Sequence, residues 1–207
     1  MAAPGITIVA VTKTATVQQT SELYSAGCRV FGENRVRELL SKYEALPKDI
    51  EWHMIGHLQT NKVKHIAPFI HLIQSADSPK LLDEINRQAT RFGRIINCLL
   101  QISIAEEETK SGMDPADAEH LVISGEIQKW KNISVRGLMG MATNTPDREK
   151  VREEFRTLHQ LYLKLQKSNF TDPSFKILSM GMTQDWKIAA DEGSTMVRIG
   201  SAIFAGD

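Results

Sequence analysis

One lysine, one arginine and two short glycine-and-hydroxyl stretches are the parts of this chain whose residue types suit shared chemistry. Lys13 follows the run "ITIVAVT", Ile6 to Thr12, whose β-branched Ile and Val read as a strand buried on both faces. A lysine in that place either snorkels to solvent or stands at the mouth of a site. Towards the other end, "SMGMT" (Ser179 to Thr183) and "RIGS" (Arg198 to Ser201) each set a glycine and a hydroxyl where a strand gives way to a helix. Glycine lets backbone approach a ligand, and amides at a helix start point towards an anion. The hydroxyls add donors, and Arg198 adds a charge or a fork of N–H groups. Alone, each stretch reads equally well as a tight turn.

What could bring such distant residues together is set by the order of elements. Eight short apolar runs, "ITIVAV", "CRVFG", "EWHMIG", "FIHLIQS", "IINCLLQIS", "ISVRGLMG", "FKILSMG" and "TMVRIG", read as strands. Between them lie "TVQQTSELYSAG", "ENRVRELLSKYEAL", "QTNKVKHIA", "SPKLLDEINRQATRFG", "DPADAEHLVIS", "DREKVREEFRTLHQLYLKLQKS" and "TQDWKIAADEG", which read as helices. This alternation predicts α/β architecture with a parallel sheet, and eight strands favour a closed (β/α)8 TIM barrel. An open doubly wound sheet is the alternative, but neither G-x-G-x-x-G nor G-x-x-x-x-G-K-[ST] occurs.

In a closed barrel the eighth strand neighbours the first. Lys13 then emerges beside the loops after strands seven and eight, a frequent phosphate site in such barrels. The lysine can be a plain counter-ion to a phosphate. Between apolar walls its charged form is disfavoured, and it can instead act as a nucleophile and form a Schiff base with a phosphorylated aldehyde. Pyridoxal 5′-phosphate carries both handles.

Composition narrows the classes. The chain has 207 residues, 42% of them hydrophobic, and 25 basic against 25 acidic side chains. Zero net charge gives no electrostatic reason to expect a nucleic-acid or membrane-surface partner, and a small ligand is expected. No apolar run approaches the ~18 residues of a membrane span, and "MAAPG" has no signal-peptide character. Cys28 and Cys98 suit a reducing cytosol, and a cytoplasmic monomer is expected. His53 and His57 have i, i+4 spacing but lie across a strand end without an H-E-x-x-H glutamate, so no metal is assigned. The run "EEETK", Glu106 to Lys110, is either a solvated loop or a lid at the site's mouth. Met113, Met139, Met141, Met180 and Met182 suit an adaptable apolar lining.

"VAVTK", "FGEN", "EWHMIGHLQTNK", "LLQISIAEEETKSGM", "RGLMGMA", "LSMGMT" and "GSTMVRIGSAIF" together resemble the YggS/PROSC family of pyridoxal phosphate homeostasis proteins, from about Thr7 to Phe204. The resemblance implies a single-domain barrel over residues 1–207, like the amino-terminal domain of alanine racemase. It implies pyridoxal phosphate on Lys13 as a Schiff base, Asn34 lining the pocket, and Ser179, Met182, Thr183, Arg198, Gly200 and Ser201 around the phosphate. It further implies that the cofactor is buffered and passed on, with free amino acids and apo pyridoxal-phosphate enzymes as partners and no evident turnover. Two features depart from the family pattern. Its long helix ahead of the first strand is missing or reduced to "MAAPG", and "IFAGD" replaces an "FG-x-R" ending.

A racemase would need a second base opposite Lys13, and Tyr24, Tyr43 and Tyr162 all fall in predicted helices. If Arg198 reaches the pyridine nitrogen, its permanent charge keeps that nitrogen unprotonated and weakens the electron sink. Three functions remain open on the residues themselves: a cofactor carrier, a racemase-like or other Schiff-base enzyme, and a phosphate-binding barrel with Lys13 as counter-ion.

Overall fold

The apolar runs become strands and the amphipathic runs between them become helices, in alternation along the chain. The computed structural model describes residues 5–105, 112–169 and 173–204. In order these form β1 (Thr7–Val11), α1 (Val17–Ser25), β2 (Val30–Glu33), α2 (Val36–Ala45), β3 (Glu51–Met54), α3 (Thr60–Ile66), β4 (Leu72–Ala76) and α4 (Pro79–Arg91). There follow β5 (Ile96–Ile102), α5 (Pro115–Ile123), β6 (Ile133–Gly140), α6 (Arg148–Gln166), β7 (Ile177–Met182), α7 (Trp186–Asp191), β8 (Met196–Ile199) and α8 (Ser201–Phe204).

Helix starts are chemically marked. Thr16 and Gln19 make a reciprocal capping box on α1, and Ser78 accepts from Leu81 N–H ahead of Pro79 in α4. Asp114 and Asp147 cap α5 and α6 in the same way.

The strands pair in parallel in chain order and close into a barrel. β8 meets β1 through Thr7↔Met196, Ile8↔Val197, Val9↔Arg198 and Ala10↔Ile199. Residues on a strand alternate between faces, so each strand serves two cores. The larger lies between barrel and helices and includes Phe31, Trp52, Leu100, Leu138, Phe155 and Leu178. The smaller fills the barrel itself with Val9, Leu72, Leu99, Met139 and Met196. This double burial is why the strands read as continuous apolar runs.

Boundaries moved where polar residues were drawn into strands. Glu33, expected to open a helix, ends β2 and is fully buried. Phe69 and Ile70, expected in a strand, belong to the turn after α3, where Phe69 stacks on Tyr43. Helix α7 starts three residues later than expected, because Asp185 occupies the position before it. A short 3-10 helix at Glu126–Lys129 and α8 were not anticipated. The "EEETK" run, Glu106 to Lys110, lies outside the described residues.

Phe155 of α6 is fully buried against the barrel wall. Phe155→Ala is expected to lower unfolding stability by about 3–5 kcal/mol. Urea unfolding checks this; a loss under about 1 kcal/mol would show that the outer core does not depend on it.

Candidate functional site

Barrel closure brings the end of β1, just before Lys13, beside the end of β8, just before Gly200. Val9 points into the barrel, and strand alternation gives Val11 and Lys13 the same face. A Cβ placed on Gly200 would lie 3.3 Å from Val11 Cβ, so the ends of β1 and β8 touch. Lys13 sits in the turn beyond β1 and is exposed. The apolar walls expected around it are absent, because the turn carries it past the strand's end to the open rim.

The two glycine loops are joined. Thr183 Oγ1 accepts from Gly200 N–H at 3.3 Å. Gly181 has φ +94°, and a Cβ there would come within 2.5 Å of Ala189, so the turn into α7 requires glycine. Met182 and Ser201 are exposed and Thr183 is half-buried. The Met182 N–H donates to Asp185 Oδ1 at 2.5 Å. An anion using either the Met182 or the Gly200 amide must therefore displace or share an existing partner. Sequence reasoning missed Asp185, which precedes α7 without capping it by its side chain and turns its carboxylate back to the loop.

Ser179 and Arg198 lie below this rim. Both are buried, and they share an inward face with Gln74 and His53. Arg198 Nη1 donates to Ser179 O at 3.0 Å and Oγ at 2.6 Å, while Nη2 donates to Gly140 O at 2.9 Å. Ser179 Oγ donates to Gln74 Oε1 at 2.7 Å, and Gln74 Nε2 lies 3.0 Å from His53 Nδ1. Burial lowers Arg198 to about 10, partly opposed by Asp185, and so leaves it cationic at neutral pH. Burial, and secondarily the charge of His71, lowers His53 to about 3, so its imidazole is neutral. Ser179 thus lies within β7, as "FKILSMG" predicts, but its hydroxyl is engaged in the barrel interior and not turned to the rim. A glutamine inside the apolar "FIHLIQS" was the available sign of this interior network.

Behind β1 a second buried cluster holds the lysine's neighbour. Lys42 Nζ donates to Thr12 O at 2.5 Å and to Glu33 Oε1, and Thr12 Oγ1 donates to Glu33 Oε1 at 2.6 Å. Thr12 and Glu33 are fully buried and Lys42 nearly so. The same Glu33 accepts from Asn34 N–H at 3.3 Å. One ion pair therefore fixes the residues beside both Lys13 and Asn34.

Other candidates fall elsewhere. A cleft of about 670 Å³ is lined by Asn34, Arg35, Arg37, Glu44, His57 and Lys62 among others, but not by Lys13, Arg198 or Gly200. The strand-end geometry, not this cleft, unites the candidate chemistry. His57 Nδ1 lies 2.9 Å from Asp77 at the mouth, while His53 is inside the barrel, so the two histidines do not form a pair. Burial pushes both Cys28 and Cys98 thiols up, which suits structural cysteines. Tyr24 bonds Asp49, Tyr43 stacks on Phe69, and Tyr162 packs on Phe175, all from outer helices.

Fold and seam define the class. The chain belongs to the family described as the alanine racemase N-terminal domain, whose model matches residues 1–207. Within that class it is 40% identical over 199 residues to the pyridoxal phosphate homeostasis protein of Aquifex aeolicus, covering 95% of this chain and 85% of that one. It is 38% identical over 202 residues to the protein of the same name from Pasteurella multocida, covering 96% and 85%. PipY of Synechococcus elongatus PCC7942, solved with PLP bound, superposes with a TM-score of 0.87 at 31% identity, covering 98% of this chain and 93% of PipY. Its structure without PLP gives 0.92, covering 99% and 94%. An alanine racemase from Clostridium difficile shares the fold, with a TM-score of 0.77 at 14% identity, covering 98% of this chain and 53% of the racemase.

Removing the Lys42 ammonium leaves Glu33 charged and unpaired in the interior. Lys42→Met is expected to cost about 3–5 kcal/mol, and much less when combined with Glu33→Gln. A double-mutant cycle by urea unfolding measures the coupling; additive losses would show that the pair does not act as a unit.

Proposed function

We propose that this chain binds pyridoxal 5′-phosphate through a Schiff base on Lys13 and holds it for delivery within the cytoplasm, without catalytic turnover. The observation that carries this reading is the β1–β8 seam, where Val11 at the end of β1 meets Gly200 after β8, so that the turn bearing the exposed Lys13 leaves the barrel at the same rim. The residues fit the cofactor. The Thr183 and Ser201 hydroxyls are suited to donate to its phosphate, the Met182 and Gly200 amides would join them by giving up or sharing Asp185 and Thr183, and Asn34 would line the pocket wall. When bound, the cofactor supplies an aldehyde that condenses with an amine, releasing one water. The names of the relatives and the PLP-bound PipY structure support the same reading.

Arg198 is proposed to face the pyridine side. Its charge, kept by three donated hydrogen bonds, disfavours a proton on the ring nitrogen. Ser179 then supports Arg198 rather than touching phosphate. An exposed Lys13 favours exchange, because free amino acids and the lysines of apo pyridoxal-phosphate enzymes can compete for the aldehyde. The placement of all three tyrosines on outer helices supports holding over racemisation, since none is set opposite Lys13 as a second base. A monomer is proposed, with no nucleic-acid or membrane partner. Among the described residues, no helix is long and apolar enough to cross a membrane.

Borohydride reduction of protein loaded with pyridoxal phosphate, followed by peptide mass spectrometry, is expected to mark Lys13, and Lys13→Ala is expected to lose both the mark and the yellow colour. A mark elsewhere, or colour retained in Lys13→Ala, would reduce Lys13 to a counter-ion. Sustained turnover of a panel of L- and D-amino acids would favour an enzyme instead.

A further inference from the structure

The barrel's amino-terminal face carries a group that the rim does not use. Glu51 opens β3, His53 lies two residues on along the same inward face, and His71 stands just before β4. One ligand atom from each lies within 4.8 Å of the other two. His71 Nε2 is already 3.6 Å from Glu51 Oε2, and the two imidazole rings stack with centroids 5.7 Å apart. We infer that Glu51, His53 and His71 bind a divalent transition-metal ion, with zinc as the best fit.

Ligand type and spacing carry the assignment. Two imidazoles and a carboxylate suit borderline cations such as zinc and not the hard, oxygen-seeking magnesium. Tetrahedral bonds of about 2.0–2.1 Å separate ligand atoms by about 3.4 Å, so the Glu51–His71 pair is near its bound spacing. The remaining adjustment falls on side chains free to make it, since those of His71 and Glu51 are 46% and 47% exposed. That exposure also gives the ion an entry path and leaves room for water as a fourth ligand. His53 is buried and anchored, with Nδ1 against the Gln74 side chain. An amide can present either its N–H or its carbonyl oxygen. Gln74 Nε2 faces Nδ1 and Gln74 Oε1 accepts from Ser179 Oγ, so ligation requires this amide to turn over. Its oxygen then accepts from Nδ1–H, its N–H donates to Ser179 Oγ, and the His53 Nε2 lone pair is free for the metal. Gln74 thus acts as the outer partner that fixes a ligating imidazole. The site lies at the opposite end of the barrel from Lys13 and does not depend on the cofactor reading.

Titrating the full chain with Zn2+ by calorimetry, and with Co2+ by visible absorption, tests the site. One equivalent of metal and the intense visible bands of tetrahedral Co2+ are expected, with no response to Mg2+. His71→Ala and Glu51→Gln, both at half-exposed positions that should leave folding intact, are each expected to weaken binding by more than about 100-fold, above the 10–100-fold range of outer-shell changes. No binding below about 100 μM would overturn the assignment. So would binding unchanged in both variants but lost in His57→Ala, which would move the ion to the mouth beside Asp77.

Discussion

Everything at the rim is referred to one buried charge pair. Lys42 reaches in from α2 to meet Glu33 and the carbonyl of Thr12, so a helix, two strands and the turn bearing Lys13 share a single anchor. Neither charge is stable there alone, because taking an ion out of water costs several kcal/mol unless its partner is in place. The pair therefore tolerates little displacement, and the backbone that carries Lys13 inherits that stiffness. An exposed lysine is ordinarily a floppy group; here its root is fixed although its tip is free.

The barrel interior divides the labour differently. A layer of Val9, Leu72, Leu99, Met139 and Met196 supplies apolar filling, while Arg198, Ser179, Gln74 and His53 form a hydrogen-bonded line through the same space. Such a line is tolerable only when its members are satisfied, since an unpaired buried polar group forfeits its hydration without return. Arg198 meets this condition with bonds to two carbonyls and a hydroxyl. It can thus remain charged in the barrel's interior.

Much of this was legible in the residues, for identifiable reasons. Strands buried on both faces leave continuous Val, Ile and Leu runs, and helix starts at Thr16, Ser78 and Asp147 carry their caps in plain view. The pairing of β8 with β1, which sets Gly200 against Val11, followed from barrel closure alone. What escaped was long-range polar pairing. Glu33 looked like a helix opener because its partner Lys42 lies on the next element. Ser179 was expected around a phosphate because nothing in its surroundings names Gln74, 105 residues away. The grouping of Glu51 and His71 likewise arises from strand register, which local spacing does not encode.

The meeting of β1 with β8 has a temporal side. Its partners, such as Ala10 and Ile199, stand at opposite ends of the sequence, so during synthesis the first strand waits with an open edge until the last has left the ribosome. The turn bearing Lys13 meets the β8 end only in that final docking event. Any property that needs both strand ends would then distinguish finished barrels from nascent ones.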